Sequence, residues 1–184
     1  MARPYIFGIG WGKSGGHSLD AALRTLGIDS VHLGHDEYGG GTLKQKIRDN
    51  QEAGRNILDG IDGMEALVDS PIWQYFDLID EQVPEAKFIF THRPPSEIGW
   101  SWVHMIHRQG KKFSGPSDYG TAKASEEKHL NRVCQRLLGK RDRLLLLDMR
   151  DPPAYKWQQL CKFLGKQPPA ETDSFPHEFD HKSD

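Results

Sequence analysis

The chain has 184 residues and a mass of 20.9 kDa, with 24 Lys and Arg against 26 Asp and Glu, a net charge of −2, and a mean hydropathy of −0.67. That length predicts one domain, residues 1–184, large enough to bury about 70% of its unfolded surface. The near-neutral balance gives no global electrostatic case for nucleic acid, and no run approaches the ~18 apolar residues of a membrane span. The opening MARPYIFGIG is too short and glycine-rich for a signal h-region, so the expectation is a cytoplasmic protein with no membrane or nucleic-acid partner. Cys134 and Cys161 fit neither a disulfide framework nor a CxxC motif and read as buried free thiols.

In chain order, Pro4 to Gly10 (PYIFGIG) reads as a buried strand, followed by a glycine-rich turn. Leu19, Ala22, Leu23 and Leu26 then recur at helical spacing until Gly27. The rhythm continues with a strand over Ser30 to Leu33, a helix over Thr42 to Ala53, a strand over Glu65 to Val68 and a helix over Ile72 to Val83. Ala86 to Thr91 (AKFIFT) predicts a further strand and Ser96 to Arg108 a helix, one face of which, with Trp100, His104, Met105 and His107, is expected in the core. Gln109 to Gly120 reads as a surface connection with the makings of a lid, Thr121 to Leu138 as a helix, Arg143 to Leu147 as the last strand and Ala154 to Leu164 as the last helix. The tail from Gln167 is expected to be irregular. Alternation of this kind implies right-handed crossovers and a parallel sheet: a three-layer α/β/α domain.

The stretch GIGWGKSGGHSL (Gly8 to Leu19) leaves a strand and enters a helix, with five glycines in nine residues. Backbone N–H groups and a helix N-terminus together make an anion site there, to which Lys13 adds a charge and Ser14 and Ser18 add hydroxyls. A tight turn with an exposed lysine is the plainer alternative. The nucleoside-triphosphatase loop GxxxxGK[ST] requires glycine where Phe7 stands, one residue from Gly8. Gly10 to Gly15 satisfies GxGxxG, and Asp36 follows the second strand as a dinucleotide-binding fold requires.

A third reading covers more of the chain. Lys13-Ser14-Gly15-Gly16-His17-Ser18 resembles the 5′-phosphosulfate loop PKSGTTW of cytosolic-type sulfotransferases, and Arg93 with Ser101 eight residues on matches the pair that grips the 3′-phosphate in that superfamily. Val83 to Ile89 is similar to the YPxAKFI approach of a bacterial-type branch, and Trp157 to Gly165 with Phe175-Pro176 is similar to its closing WxxLCxFLG...FP segment. Gly16-His17 replaces the usual Thr-Thr, and no late RKG motif is present. The resemblance implies the P-loop-like fold of the superfamily and the donor 3′-phosphoadenosine 5′-phosphosulfate (PAPS), with adenosine 3′,5′-bisphosphate as product. It implies contacts from Lys13, Ser14, Gly15, Gly16, His17, Ser18, Arg93 and Ser101, and no metal.

Sulfuryl transfer to a hydroxyl asks for stabilisation of the leaving phosphate, assigned to Lys13, and for a base. Asp69, at the end of the third predicted strand, is one candidate, though a strand-end cap would use the same residue type. His35, Asp36 and Glu37 after the second strand are the others. The expected acceptor is a small molecule with a phenolic or alicyclic hydroxyl, since a polyanionic glycan would call for a basic groove. The competing functions are a P-loop kinase or NTPase using ATP and Mg²⁺, a dinucleotide oxidoreductase, and a nucleotide-binding protein without transfer activity. His32, His129 and His181 carry no partner pattern, and no Cys/His cluster points to a metal.

Overall fold

The structure, a computed structural model, describes residues 4–34, 39–108, 110, 116–140, 142–172 and 174–177. Five strands form one parallel sheet: β1 (Ile6–Gly8), β2 (Ser30–His32), β3 (Ala66–Val68), β4 (Lys87–His92) and β5 (Leu144–Asp148), in the order β2-β3-β1-β4-β5. Helices α1 (Gly16–Thr25), α2 (Gly40–Glu52), α3 (Phe76–Gln82), α4 (Pro95–Arg108), α5 (Pro116–Leu137) and α6 (Pro153–Leu164) connect or follow them. β1 lies between β3 and β4, with Phe7 opposite Leu67 on one side and Phe88 on the other. β2 lies outside β3, unlike the dinucleotide-binding order, in which the second strand flanks the first.

Both faces of the sheet are covered, which is why its strands read as continuous apolar runs rather than alternating ones. Phe7, Leu67, Phe88 and Phe90 face Ile47 of α2, Phe76 and Ile79 of α3, and Val133 and Leu137 of α5. Ile6, Ala66, Val68, Ile89 and Leu147 face Leu19 and Leu23 of α1 and Trp157 and Leu160 of α6. Strand residues one apart thus divide between two cores, giving the three layers expected from the alternation.

A buried charge cluster pins α3 to α5 and the turn after it. Asp80, with 1% of its side chain exposed, takes Arg136 at 2.6 Å, Lys140 at 2.7 Å and Arg143 at 2.9 Å. Burial pushes the Asp80 carboxyl up, but hydrogen bonds from Lys140 and Arg136 and the charges of Lys140 and Arg143 outweigh it and hold the carboxyl below its usual range.

Several boundaries differ from the sequence expectation. Residues 71–75 wind as turns, with Gln74 N–H donating to Pro71 O, so the helix expected from Ile72 starts at Phe76. α5 starts at Pro116, where proline's missing N–H is harmless in the first turn, so it takes in part of the expected connection. The rest of that connection, apart from Gly110, lies outside the described residues. Trp100 is 60% exposed and His104 is exposed, which corrects their expected place in the core: α4 turns that side to solvent. Cys161 is buried and Cys134 only half-buried, both as free thiols. The irregular tail is tied down, because Trp157 Nε1 donates to Ser174 O at 2.8 Å and its ring meets Phe175 at 4.8 Å.

Candidate functional site

β1 ends at the switch point of the sheet, where connections leave toward β2 on one side and β4 on the other, and open α/β sheets bind ligands at such crevices. The chain leaves β1 through Gly10 and turns into α1. A Cβ on Gly10 would collide with Thr91 Oγ1 and Ser14 Oγ, so only glycine lets the loop lie against β4. Gly15 caps α1 at φ 115°, and Lys13 adopts φ 73°, a left-handed conformation uncommon for a lysine. No side chain caps α1, so its first-turn N–H groups are left for a ligand.

One cleft gathers residues from five elements at this carboxyl edge. The loop and α1 supply Lys13, Gly15, Gly16, His17 and Ser18, and β2 supplies His32. Asp69 follows β3, Arg93 follows β4, and Ser101 comes from the second turn of α4. Seventy-seven residues of chain separate Thr91 from Ser14, yet their hydroxyls meet at 2.8 Å. Ser14 therefore sits differently from its expected ligand-facing role: it is 1% exposed, its hydroxyl is engaged by Thr91, and its N–H donates to Trp11 O. It buttresses the loop and does not line the cleft.

Asp69 has φ 79°, and its Oδ2 stands 3.4 Å from His32 Nε2. Gly34 N–H donates to His32 Nδ1 at 3.2 Å, which puts the imidazole proton on Nε2, facing the carboxylate. The His17 ring stacks on His32 at 3.6 Å with an interplanar angle of 11°. His35, Asp36 and Glu37 lie outside the described residues. Lys156, 8% exposed, donates to Met149 O at 3.0 Å, and burial together with the charge of Arg93 holds its ammonium below the usual lysine range.

The Sulfotransferase domain family model matches this chain over residues 5–116 and 95–183, two overlapping stretches that span nearly all of it. The chain belongs to that family. The sulfotransferase of Alicyclobacillus acidocaldarius has a similar fold, with a TM-score of 0.60 at 17% identity over 100% of this chain and 88% of that one. The sulfotransferase domain of the Synechococcus PCC 7002 olefin synthase gives 0.60 at 18% identity over 98% and 79%. The sulfotransferase domain from the curacin biosynthetic pathway gives 0.57 at 16% identity over 97% and 79%. No curated protein matches the sequence significantly.

Three residues of this sulfotransferase domain that the sequence reading left without a role stand at or beside the cleft. His32 could have been suspected, because it closes a strand on the ligand-binding edge of the sheet. Lys156 lies within the closing segment and has no local signal of its own. His129, on α5, is 2% exposed and donates from Nε2 to Ile9 O at 2.7 Å, just before the loop. Burial holds it below its ordinary value, so the ring is neutral with a lone pair on Nδ1. No helix among the described residues is long and apolar enough to cross a membrane.

Proposed function

We propose that this chain transfers a sulfuryl group from PAPS to a hydroxyl of a small-molecule acceptor. The observation that carries the reading is the convergence in one cleft of Lys13 and the open N-terminus of α1 with Arg93 and Ser101. Two separated groups of anion donors on one cleft suit a ligand with two separated anionic ends, whereas a nucleoside triphosphate carries its charge in one chain.

The donor set fits that molecule. Lys13, the α1 N–H groups and the Ser18 hydroxyl would hold the 5′-phosphosulfate, and Arg93 and Ser101 the 3′-phosphate, with Lys156 adding positive charge beside Arg93. When bound, PAPS supplies a sulfuryl group activated by a phosphate leaving group. Lys13 stabilises the negative charge that grows on that phosphate, and the fixed N–H dipoles of α1 do the same without reorganising. Asp69 accepts the proton of the acceptor hydroxyl. The Nε2–H of His32 anchors Asp69 Oδ2, which leaves Oδ1 for the hydroxyl.

Thermal melting with adenosine 3′,5′-bisphosphate, ATP with Mg²⁺, and NAD tests the reading. A ligand at about 100 times its dissociation constant stabilises by about 2.7 kcal/mol, which moves the midpoint of a domain this size by roughly 5–11 °C. A shift with the bisphosphate alone is expected, followed by turnover when PAPS and a phenol are supplied. A shift only with ATP or NAD would refute the assignment of Arg93 and Ser101.

A further inference from the structure

The two edges of the sheet are built differently. β2, at one edge, is three residues long, includes the polar Ser30 and His32, and is buried throughout. β5, at the other edge, runs for five residues, four of them leucine, in unbroken register with β4. It carries no lysine, proline or bulge of the kind that blunts an exposed edge. Phe88 N–H donates to Arg143 O and Met149 N–H to His92 O, so alternate residues from Arg143 to Met149 turn their backbone groups to β4, while Leu144, Leu146 and Asp148 turn theirs outward. Among the described residues no backbone group bonds the outward N–H or C=O of Leu144 or Leu146, and Leu146 is 43% exposed.

Exposed apolar side chains gather on the same part of the molecule. α5 shares one core with Leu144, and α6 shares the other with Leu147. Of the four large hydrophobic side chains exposed among the described residues, Leu146 is on β5, Leu138 follows α5 and Tyr155 is on α6, Trp100 being the fourth. The flanks of the strand differ in charge. Lys140 to Arg143 (KRDR) precedes it with three basic residues to one acidic, and Asp148 to Asp151 (DMRD) closes it with two acidic to one basic. A second copy laid antiparallel sets the positive flank of each strand against the negative flank of the other, whereas a parallel copy sets like against like.

We infer that the outer edge of β5 pairs antiparallel with β5 of a second copy of this chain, joining the two sheets into one. The register follows from the outward groups and the charges. Centred on Leu146, the exposed leucine meets its own copy and exchanges both backbone bonds with it, Leu144 meets Asp148 of the second copy, and Asp142 meets Arg150 of the second copy. Asp142 and Arg150 are both exposed, and the twofold axis forms that ion pair twice. Centring on Leu145 keeps backbone bonds but sets Asp142 against Asp148 and Lys140 against Arg150, like on like. Moving the centre to Leu144 or Leu147 sets Leu146 opposite an aspartate, Asp142 or Asp148. Since the paired strands run oppositely, the two ligand clefts open at opposite ends of the joined sheet.

Sedimentation equilibrium of the full chain tests this. At about 100 µM chain a dimer is expected, since that concentration populates any complex of comparable or tighter dissociation constant. Leu146→Lys sets two ammonium groups face to face at an exposed position, and should raise the dissociation constant at least about tenfold while the chain melts as before. Asp142→Arg and Arg150→Asp each place like charges together twice, and each should weaken self-association about fivefold. Mixed in equal amounts, these two variants form a heterodimer in which both ion pairs are restored, so the mixture should associate about as tightly as the parent. Association through another face would show no such recovery. The inference fails if the mixture associates no better than either variant alone, or if Leu146→Lys dimerises like the parent. It fails too if the parent is monomeric, which would leave the edge to a strand of another protein.

Discussion

Asp80 on α3 and Glu126 on α5 are both carboxylates with 1% of the side chain exposed, yet their surroundings are opposite. Asp80 is met by Arg136, Lys140 and Arg143 within 2.9 Å, and its proton affinity is lowered. Glu126 has a single imidazole, that of His92, at 3.5 Å; burial raises its proton affinity, and the charge and hydrogen bond of His92 offset that only in part. A buried charge that is fully answered fastens helices together. One met by a single weak partner is held at a cost to the free protein.

The largest effect that would sharpen this contrast is Asp80→Ala, which removes the carboxylate that Arg136, Lys140 and Arg143 share at the seam of α3 and α5. It should lower stability by about 3 kcal/mol in urea titration, while the folded fraction binds adenosine 3′,5′-bisphosphate as before. Lys13→Ala should do the reverse. Sulfuryl transfer should fall by about two to three orders of magnitude with little change in the urea midpoint, and equal damage to both would erase the distinction between fastening and working charges.

Glu126→Gln should raise the melting temperature by a few degrees, equivalent to about 1 kcal/mol, because it removes the tendency to ionise in a place that disfavours it. A fall in melting temperature would mean that the carboxyl is answered in the free chain. The pH dependence gives the smallest effect. The folded pKa of Glu126 is raised, so the parent loses stability as pH climbs from its unfolded value near 4.3 through the folded one, and the advantage of Glu126→Gln should grow from pH 4 toward neutrality. The folded pKa of His129 is lowered, so both proteins should lose stability as pH falls below about 6.5, with the same slope in each.

The fold was legible where the chain is locally emphatic. PYIFGIG, AKFIFT and RLLLL are too short for helices and mostly apolar, which is what a parallel sheet covered on both faces requires. The position of β2 outside β3 was not legible, because crossover length does not say which neighbour a strand passes. In the site, Lys13 stood out by its glycine-rich loop between strand and helix, and Arg93 and Ser101 by their resemblance to the sulfotransferase 3′-phosphate pair. His32 did not, because its partner Asp69 is 37 residues away and meets it only through the register of β2 on β3. Ser14 and Ser18 look alike in sequence, and only the approach of β4 turns one inward to Thr91. Glu126 sits in a polar run, ASEEKHL, that reads as a solvated face until α5 is laid against the end of β4.

The bond between Ser14 and Thr91 has a further consequence. Lys13 precedes one of these residues and Arg93 follows the other by two, so this 2.8 Å contact between hydroxyls extends the pairing of β1 with β4 to the two groups of anion donors and helps hold the span between them. Under the proposed function the pair acts as a gauge. A ligand is accepted by the distance between its two charged ends before its chemistry is tested, and Thr91→Ser, which keeps the hydroxyl but frees its rotation, would blur the measurement without removing either grip.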